Sequence, residues 1–263
     1  MNLNLNDKNA LIMASSKGIG KAIAYGLASE GVNLYLSARS LDLLTSIQTD
    51  IQDQYQVKVE IFPADLSNYN DRENLISAVK AKYSTIDIIV HNMGGPKPST
   101  VLNTSIDEWT NSFNSLCLPI IHLNNAFIPG MIAQNFGRIL AITSLSVIEP
   151  IDNMALSNSL RSFITAMLKT LANEIAKYNI TVNCLAPGWI KTDRTDELLE
   201  SRIQLSRQSK DQYLESHLST IPANRMGNVT EIASLATFLC SNQAGYITGS
   251  TMCVDGGKRK STY

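Results

Sequence analysis

Short apolar runs alternate with longer amphipathic stretches from one end of the chain to the other. Uninterrupted aliphatic runs favour buried parallel strands, whereas apolar residues spaced three or four apart favour helices. The runs predict seven strands, at 10–13, 32–36, 57–62, 86–90, 138–142, 181–185 and 252–254. The amphipathic stretches predict the helices between them, at 18–29, 40–54, 71–83, 106–131, 153–178 and 229–240.

This alternation predicts one α/β domain over residues 1–263, without internal repeats or linkers. Right-handed crossovers would give a Rossmann-type fold, a doubly wound seven-stranded parallel sheet with helices on both faces. Only the polar, helix-prone segment 192–224 interrupts the alternation of single strands and helices. It follows the sixth strand, where ligands bind in such folds, and we therefore expect a substrate lid there. The alternative is a peripheral helical excursion.

Composition narrows the classes of partner. Hydrophobic residues make up 44% of the chain and charged residues 17%, which is typical of a soluble globular protein. A net charge of −1 gives no field that would attract nucleic acid or an anionic membrane, so neither is expected as a partner. The first ten residues do not resemble a signal peptide, and no apolar run reaches the ~20 residues of a membrane span. These features predict a cytoplasmic protein.

Cysteine and histidine usage argues against a metal site. The three histidines lack the spacing of metal ligands, so no metal is expected. The four cysteines lie far apart in apolar surroundings, which predicts buried free thiols and fits a reducing compartment. They are Cys117, Cys184, Cys240 and Cys253.

A glycine-containing turn follows the first strand and opens the first helix. Such a turn lets backbone N–H groups approach a pyrophosphate, and the positive end of the helix dipole favours the same anion. The predicted phosphate-binding residues are Ala14, Ser16, Lys17, Gly18, Ile19 and Gly20. Ala14 stands where such turns usually have a glycine, so the backbone must tolerate a Cβ near the phosphates.

Six segments in order resemble the short-chain dehydrogenase/reductase family. They are the turn at 13–20 and the segments 64–66, 91–94, 179–192, 246–249 and 255–257. The resemblance implies that 64–66 contacts adenine and that the Pro-Gly turn within 179–192 grips the nicotinamide carboxamide. The cofactor residues it adds are Asp65, Leu66, Asn92, Gly94, Pro187, Gly188, Ile190 and Thr192.

The end of the second strand predicts which dinucleotide binds. A carboxylate there would bind the ribose hydroxyls of NAD and repel a 2′-phosphate, but the chain has Ala38 followed by Arg39. A guanidinium can donate two charge-assisted hydrogen bonds to a phosphate, and Lys17 can add a second positive charge. NADP(H) is therefore the expected cofactor. The alternative is that both side chains are solvated surface residues.

The catalytic positions of the family carry different residues here. By the resemblance, the family's tyrosine, lysine, serine and asparagine fall on Ser157, Arg161, Ser144 and Leu116, so only the serine is kept. A serine hydroxyl is far less acidic than a tyrosine, whose pKa is ~10, and arginine cannot relay a proton. Arg161 can still stabilise negative charge on oxygen. The site is better suited to holding an oxyanion than to protonating one.

Three functions stay open for a small-molecule substrate. Hydride addition to a conjugated enone would form an enolate held by Ser144, Ser157 and Arg161. The chain resembles olefin-reducing family members at 179–184 and 192–194. Ketone reduction would need another acid, for which Tyr213 and Lys191 are candidates. The third possibility is an NADPH-binding protein with little or no turnover.

The resemblance also implies a homo-oligomer, a dimer or a tetramer. Family members assemble through two long helices, here 106–131 and 153–178, and through the C-terminal segment. An apolar stripe of Phe163, Ile164 and Met167 on the second helix could form such an interface or pack in the core.

Overall fold

The computed structural model describes residues 2–206 and 209–262. Its sheet has seven strands, and every pairing is parallel. In chain order they are β1 (Asn9–Met13), β2 (Asn33–Ala38), β3 (Val59–Pro63), β4 (Ile88–His91), β5 (Gly137–Ile142), β6 (Ile180–Pro187) and β7 (Thr251–Val254). In space the order is β3-β2-β1-β4-β5-β6-β7, which confirms the predicted doubly wound sheet. The order reverses between β1 and β4, and ligands bind at such a reversal, beyond the carboxyl ends of the strands.

Helices connect the strands. They are α1 (Gly18–Ala28), α2 (Leu41–Gln54), α3 (Tyr69–Lys82), α4 (Ile106–Leu116), α5 (Leu118–Ala133), α6 (Ala155–Ile175), α7 (Asp193–Ser206), α8 (Lys210–Leu218) and α9 (Val229–Leu239). The helix predicted at 106–131 is two helices that meet at Cys117. Pro119 lies in the first turn of α5, lacks an N–H to continue the hydrogen-bond ladder of α4, and disfavours helical backbone in the residue before it. The helix predicted at 153–178 ends earlier, at Ile175, and a 3₁₀ turn follows over Ala176–Tyr178.

Alternating residues of the strands build a separate core on each face of the sheet. Ile12 packs on one face with residues of α1, α2 and α9. Its neighbours Leu11 and Met13 pack on the other face with α3, α5 and α6. This alternation follows from the two-residue period of a strand. Both faces are covered by helices, as predicted, and the carboxyl ends of the strands remain open.

The apolar stretch Ile106–Ala133 qualifies the expectation that no segment could span a membrane. In length and composition it resembles a membrane span, although half of its apolar window is buried within the structure. Such burial is typical of a core helix, here the paired helices α4 and α5. The apolar stripe on α6 is divided between core and surface: Ile164 is buried, Met167 is partly buried against the core, and Phe163 stays 41% exposed.

All four cysteines are free, as predicted, and Cys117, Cys184 and Cys240 are buried. Burial raises the pKa of both Cys184 and Cys240 to about 12, so these thiols stay protonated and unreactive. Cys253 is only half-buried. Among the described residues, no cluster of histidine, cysteine and carboxylate side chains has the arrangement of a metal site.

Candidate active site

A cleft of about 870 Å³ opens beyond the carboxyl ends of the central strands. Every residue predicted for the site lines it except Gly20. Those residues are Ala14, Ser16, Lys17, Gly18, Ile19, Arg39, Asp65, Leu66, Asn92, Gly94, Ser144, Ser157, Arg161, Pro187, Gly188, Ile190 and Thr192. Leu116, at the end of α4, lines it as well. The fold therefore brings together residues from both halves of the chain.

Gly20 lies behind the turn and lets it pack against the next strand. A Cβ added there would lie 2.5 Å from the Ala14 carbonyl oxygen and 2.6 Å from Nδ2 of Asn92. Both distances are shorter than a Cβ tolerates, so Gly20 makes room for these two groups. Gly20 is therefore required for packing, and its contact with a cofactor stays a prediction.

The turn at 14–18 has the shape of a phosphate cradle. Ala14 has a φ of 46° and Gly18 a φ of 52°, both in the left-handed region. At Ala14 this backbone is strained, because its Cβ crowds the following carbonyl. Lys17 at the start of α1 does not cap the helix with its own side chain, which leaves the first N–H groups for an anion. A pyrophosphate fits this turn.

Positive and negative side chains lie together at the end of the cleft where the sequence predicts adenine binding. Asp65 accepts hydrogen bonds from the hydroxyl and the backbone N–H of Ser67, at 2.7 and 3.0 Å. These bonds lower the pKa of Asp65, and nearby Arg39 lowers it further. Arg39 itself is exposed at the cleft. Lys17 is also exposed, but its Nζ forms an ion pair with Asp193 at 3.0 Å and reaches across the cleft to α7.

Two serine hydroxyls line the other end. Ser144 follows β5, and its oxygen accepts a hydrogen bond from the N–H of Ser146 at 3.1 Å. Its hydroxyl hydrogen remains available to a ligand. Ser157 lies in α6 and is 3% exposed, and its hydroxyl has no hydrogen-bond partner among the described residues. Both hydroxyls can therefore donate to a ligand oxygen.

Arg161, one turn along α6 from Ser157, joins two loops of the cleft. Its Nη1 donates to the Ile142 carbonyl at 2.9 Å, and its Nη2 donates to those of Met93 and Gly94, each at 3.5 Å. Burial lowers the pKa of Arg161 to about 10, and the charge of Arg194 adds to this effect. Arg161 is still charged at neutral pH. No described carboxylate forms an ion pair with it.

The candidate replacement acids do not line the cleft. The ring of Tyr213 stacks on His217 at 6.1 Å, and His217 in turn packs on Trp189 at 3.8 Å. Tyr213 and Lys191 are absent from the described residues that line the cleft, and no other tyrosine is among them. Neither Tyr213 nor Lys191 is therefore positioned to protonate a substrate in the cleft.

Sequence reasoning missed Arg194, in the first turn of α7. Its Nη2 donates to the Pro96 carbonyl at 2.8 Å, and its Nη1 donates to Glu197 at 3.2 Å. Both Arg194 and Glu197 line the cleft. Nothing in the spacing of the sequence predicts that α7 returns over the loop after β4. Only the fold reveals this contact.

Comparisons with known proteins identify the family. The sequence model of a family described as "Enoyl-(Acyl carrier protein) reductase" matches residues 13–259. The chain is 33% identical over 258 residues to the NADPH-dependent reductase BacG of Bacillus subtilis (strain 168), covering 98% of this chain and 100% of BacG. The chain belongs to the short-chain dehydrogenase/reductase family. It is also 32% identical over 255 residues to the 3-oxoacyl-[acyl-carrier-protein] reductase FabG of Haemophilus influenzae, covering 96% of this chain and 98% of FabG.

Solved structures of short-chain dehydrogenase/reductase proteins have the same fold. YwfH, an NADPH-dependent reductase involved in bacilysin biosynthesis, superposes with a TM-score of 0.93 at 32% identity, covering 97% of this chain and 100% of YwfH. L-sorbose reductase from Gluconobacter frateurii, complexed with NADPH and L-sorbose, gives a TM-score of 0.93 at 30% identity. That match covers 99% of this chain and 100% of the sorbose reductase.

Proposed function

We propose that this short-chain dehydrogenase/reductase protein is an NADPH-dependent reductase of conjugated enones. The observation that carries the proposal is the catalytic end of the cleft. Ser144 and Ser157 offer two hydroxyl donors there, and Arg161 offers a fixed positive charge. None of the three is a good proton donor near neutral pH. The arrangement supports stabilising an enolate oxygen over protonating an alkoxide.

The cofactor is NADP(H). Three features support it: the turn at 14–18, the exposed Arg39 at the adenine end, and the absence of a carboxylate at Ala38. BacG and YwfH are both NADPH-dependent by name. We propose that Pro187, Gly188, Ile190 and Thr192 hold the nicotinamide end. When bound, NADPH supplies the hydride for reduction.

The residues of the chain then act on the substrate oxygen. Ser144 and Ser157 donate hydrogen bonds to the carbonyl oxygen, and Arg161 stabilises its negative charge as hydride adds to the β-carbon. The π electrons of the double bond move toward the oxygen, and water then protonates the α-carbon to give the saturated ketone. Removing one such donor typically lowers the rate by about 10²- to 10³-fold.

Matched substrates test the reaction. NADPH oxidation is followed with 2-cyclohexen-1-one and with cyclohexanone, and the product is analysed after reaction in D₂O. We expect reduction of the enone alone, with solvent deuterium at the α-carbon. Ser144→Ala and Ser157→Ala should each slow it, whereas Ser159→Ala, an exposed change in the same helix, should not. Reduction of cyclohexanone at a comparable rate would overturn the proposal.

A second candidate function is NADPH binding without turnover. The hydrogen bonds of Arg161 favour this candidate. All three go to backbone carbonyls and join two loops of the cleft, which is a structural role and needs no catalysis. Tight NADPH binding combined with no oxidation across paired cyclic and acyclic enones and ketones would support this candidate.

We further propose that the protein is a cytoplasmic homo-oligomer and that 192–224 is a substrate lid. The ring of Phe163 on α6 lies against Phe113 on α4, edge to face at 5.4 Å, and keeps an exposed surface available for a partner subunit. Several residues at the start of α7 line the cleft, which supports the lid. Size-exclusion chromatography with light scattering tests assembly, using Phe163→Asp as the interface variant.

A further inference from the structure

Two guanidinium groups meet in front of Gly95, in the loop after β4. A Cβ built on Gly95 would lie 3.6 Å from Nε and 3.7 Å from Nη2 of Arg194, and 3.9 Å from Nη2 of Arg161. At the preceding Gly94, a Cβ would meet nothing within 4 Å. The lack of a side chain at Gly94 thus leaves a gap in the cleft, next to Gly95 and the two positive side chains.

The edge of Arg194 that faces this gap has free donors. Its Nη1 donates to Glu197, and one N–H of Nη2 donates to the Pro96 carbonyl. Its Nε has no hydrogen-bond acceptor among the described residues, and Nη2 has a second N–H. Nε and Nη2 together form the side of a guanidinium that binds a carboxylate through two parallel hydrogen bonds.

The charges around the gap are not balanced. Arg161 is buried without a described carboxylate partner, and Arg194 has only Glu197, which remains largely exposed. Two positive charges against one negative charge leave a surplus of one. A buried charge without a partner is costly, so an anion that enters the gap would be stabilised. A surplus of one favours a monoanion over a doubly charged phosphate.

We infer that the substrate carries a carboxylate, which Arg194 binds in the gap at Gly94 while Arg161 contributes its charge. The inference rests on the proposed reductase function and adds the substrate class. The carboxylate binds through the Nε and Nη2 edge of Arg194. The two serine hydroxyls remain available for the carbonyl oxygen. Arg194 is then the residue that selects acidic substrates over neutral ones.

The test compares acids with their methyl esters. The enone pair is 4-oxocyclohex-2-ene-1-carboxylate and its methyl ester, and the ketone pair is the corresponding saturated acid and ester. We expect a higher kcat/KM for the enone acid than for its ester. Arg194→Gln should lower kcat/KM for the acid by about 10- to 100-fold, the effect of losing hydrogen bonds to a charged group, and change that for the ester by less than about twofold. Arg194→Lys should recover only part of the loss, because lysine cannot bind through two parallel bonds.

Two further variants distinguish carboxylate binding by Arg194 from a nonspecific loss of structure. Arg225→Gln changes an arginine outside 192–224, one that pairs with Glu231 at 2.7 Å and does not line the cleft, and it should leave kcat/KM for both substrates unchanged. Gly95→Ala adds a Cβ at ordinary contact distances and at a backbone conformation open to alanine, so the protein should fold. The methyl group would lie against Nε and Nη2 of Arg194, and this variant should therefore also lose preference for the acid.

Binding measurements keep the inference testable if no compound is turned over. Calorimetry of the acid and the ester with the NADPH complex should show acid binding that Arg194→Gln abolishes and Arg225→Gln preserves. Absence of acid binding to the unmodified protein would overturn the inference, and so would equal losses for acid and ester in Arg194→Gln. Acid binding without turnover would instead count against the reductase function alone.

Discussion

The side chain of Asn92 donates a hydrogen bond from Nδ2 to the carbonyl oxygen of Ala14, at 3.3 Å. This bond ties the loop after β4 to the phosphate-binding turn and holds the Ala14 carbonyl in place. It does so while Ala14 has a φ of 46°, a conformation that costs an alanine about 1–2 kcal/mol. The turn is therefore strained at Ala14, the residue that accepts the hydrogen bond from Asn92.

Ala14→Gly should relieve this strain. Glycine adopts the left-handed region freely but loses about 0.5–1 kcal/mol more backbone entropy on folding, so the net gain in unfolding free energy is about 0.5 kcal/mol. Urea unfolding measures it. Ala22→Gly, inside α1, is the matched control and should destabilise by about 1 kcal/mol. A loss of stability in Ala14→Gly would show that the turn is not strained.

Arg39→Asp should weaken NADPH binding by about tenfold or more and improve NADH binding relative to it. The change removes a guanidinium that can pair with the 2′-phosphate and adds a carboxylate that repels it. Fluorescence titration with both cofactors measures the effect. Lys17→Met is the informative comparison, because Lys17 is engaged with Asp193 and should contribute less. If Arg39→Asp binds NADPH as tightly as the unmodified protein does, the assignment of NADP(H) as the cofactor is refuted.

His91 should make the protein less stable in mild acid. Its Nε2 bonds to Oδ1 of Asn124 at 2.8 Å, its Nδ1 has no partner among the described residues, and burial lowers its pKa to about 4. The unfolded chain binds a proton near the ordinary pKa of about 6.5, so it takes up more protons than the folded protein between these values. Stability is then fully present above about 6.5 and falls as the pH drops toward about 4.

The variant His91→Asn tests this account. An asparagine amide can still donate to Asn124 but does not titrate, so the variant should lose less stability than the parent between about pH 6.5 and 4. Unfolding free energies at several pH values measure the difference, and His122→Asn, at a partly exposed histidine, controls for general effects. Parallel pH profiles for the parent and His91→Asn would contradict the prediction.

Much of the fold could be predicted because its signals are local. The buried runs around Ile12 and Val90 have the continuous apolar character of central parallel strands, and the structure places strands there. The break at Cys117 was missed, since the apolar pattern continues through it and only Pro119 marks the change. Periodicity reports which residues are apolar and is a weaker guide to where a helix ends.

In the candidate site, too, residues in local motifs could be predicted from the sequence, and residues placed by the tertiary fold could not. Residues in continuous motifs, such as Gly18 and Pro187, could be assigned from the sequence and line the cleft. Arg194 could not, because its place depends on how α7 folds back over the loop at Pro96. Nor could the sequence show that the guanidinium of Arg161 is already bound to carbonyl groups, which depends on the distance between two strand ends.

The double variant Ser157→Tyr, Arg161→Lys should gain ketone reduction. It restores the tyrosine and lysine that the family resemblance implies at these positions, and an acid–base residue contributes about 10²- to 10⁴-fold. Cyclohexanone reduction should rise by up to that factor, while enone reduction falls as the fixed guanidinium is lost. NADPH oxidation with product analysis measures both, and Ser157→Phe, Arg161→Lys controls for the added bulk, because its ring has no hydroxyl. If the tyrosine variant folds, binds NADPH and still reduces no ketone, the exchange of Tyr for Ser is not what limits this site to enones.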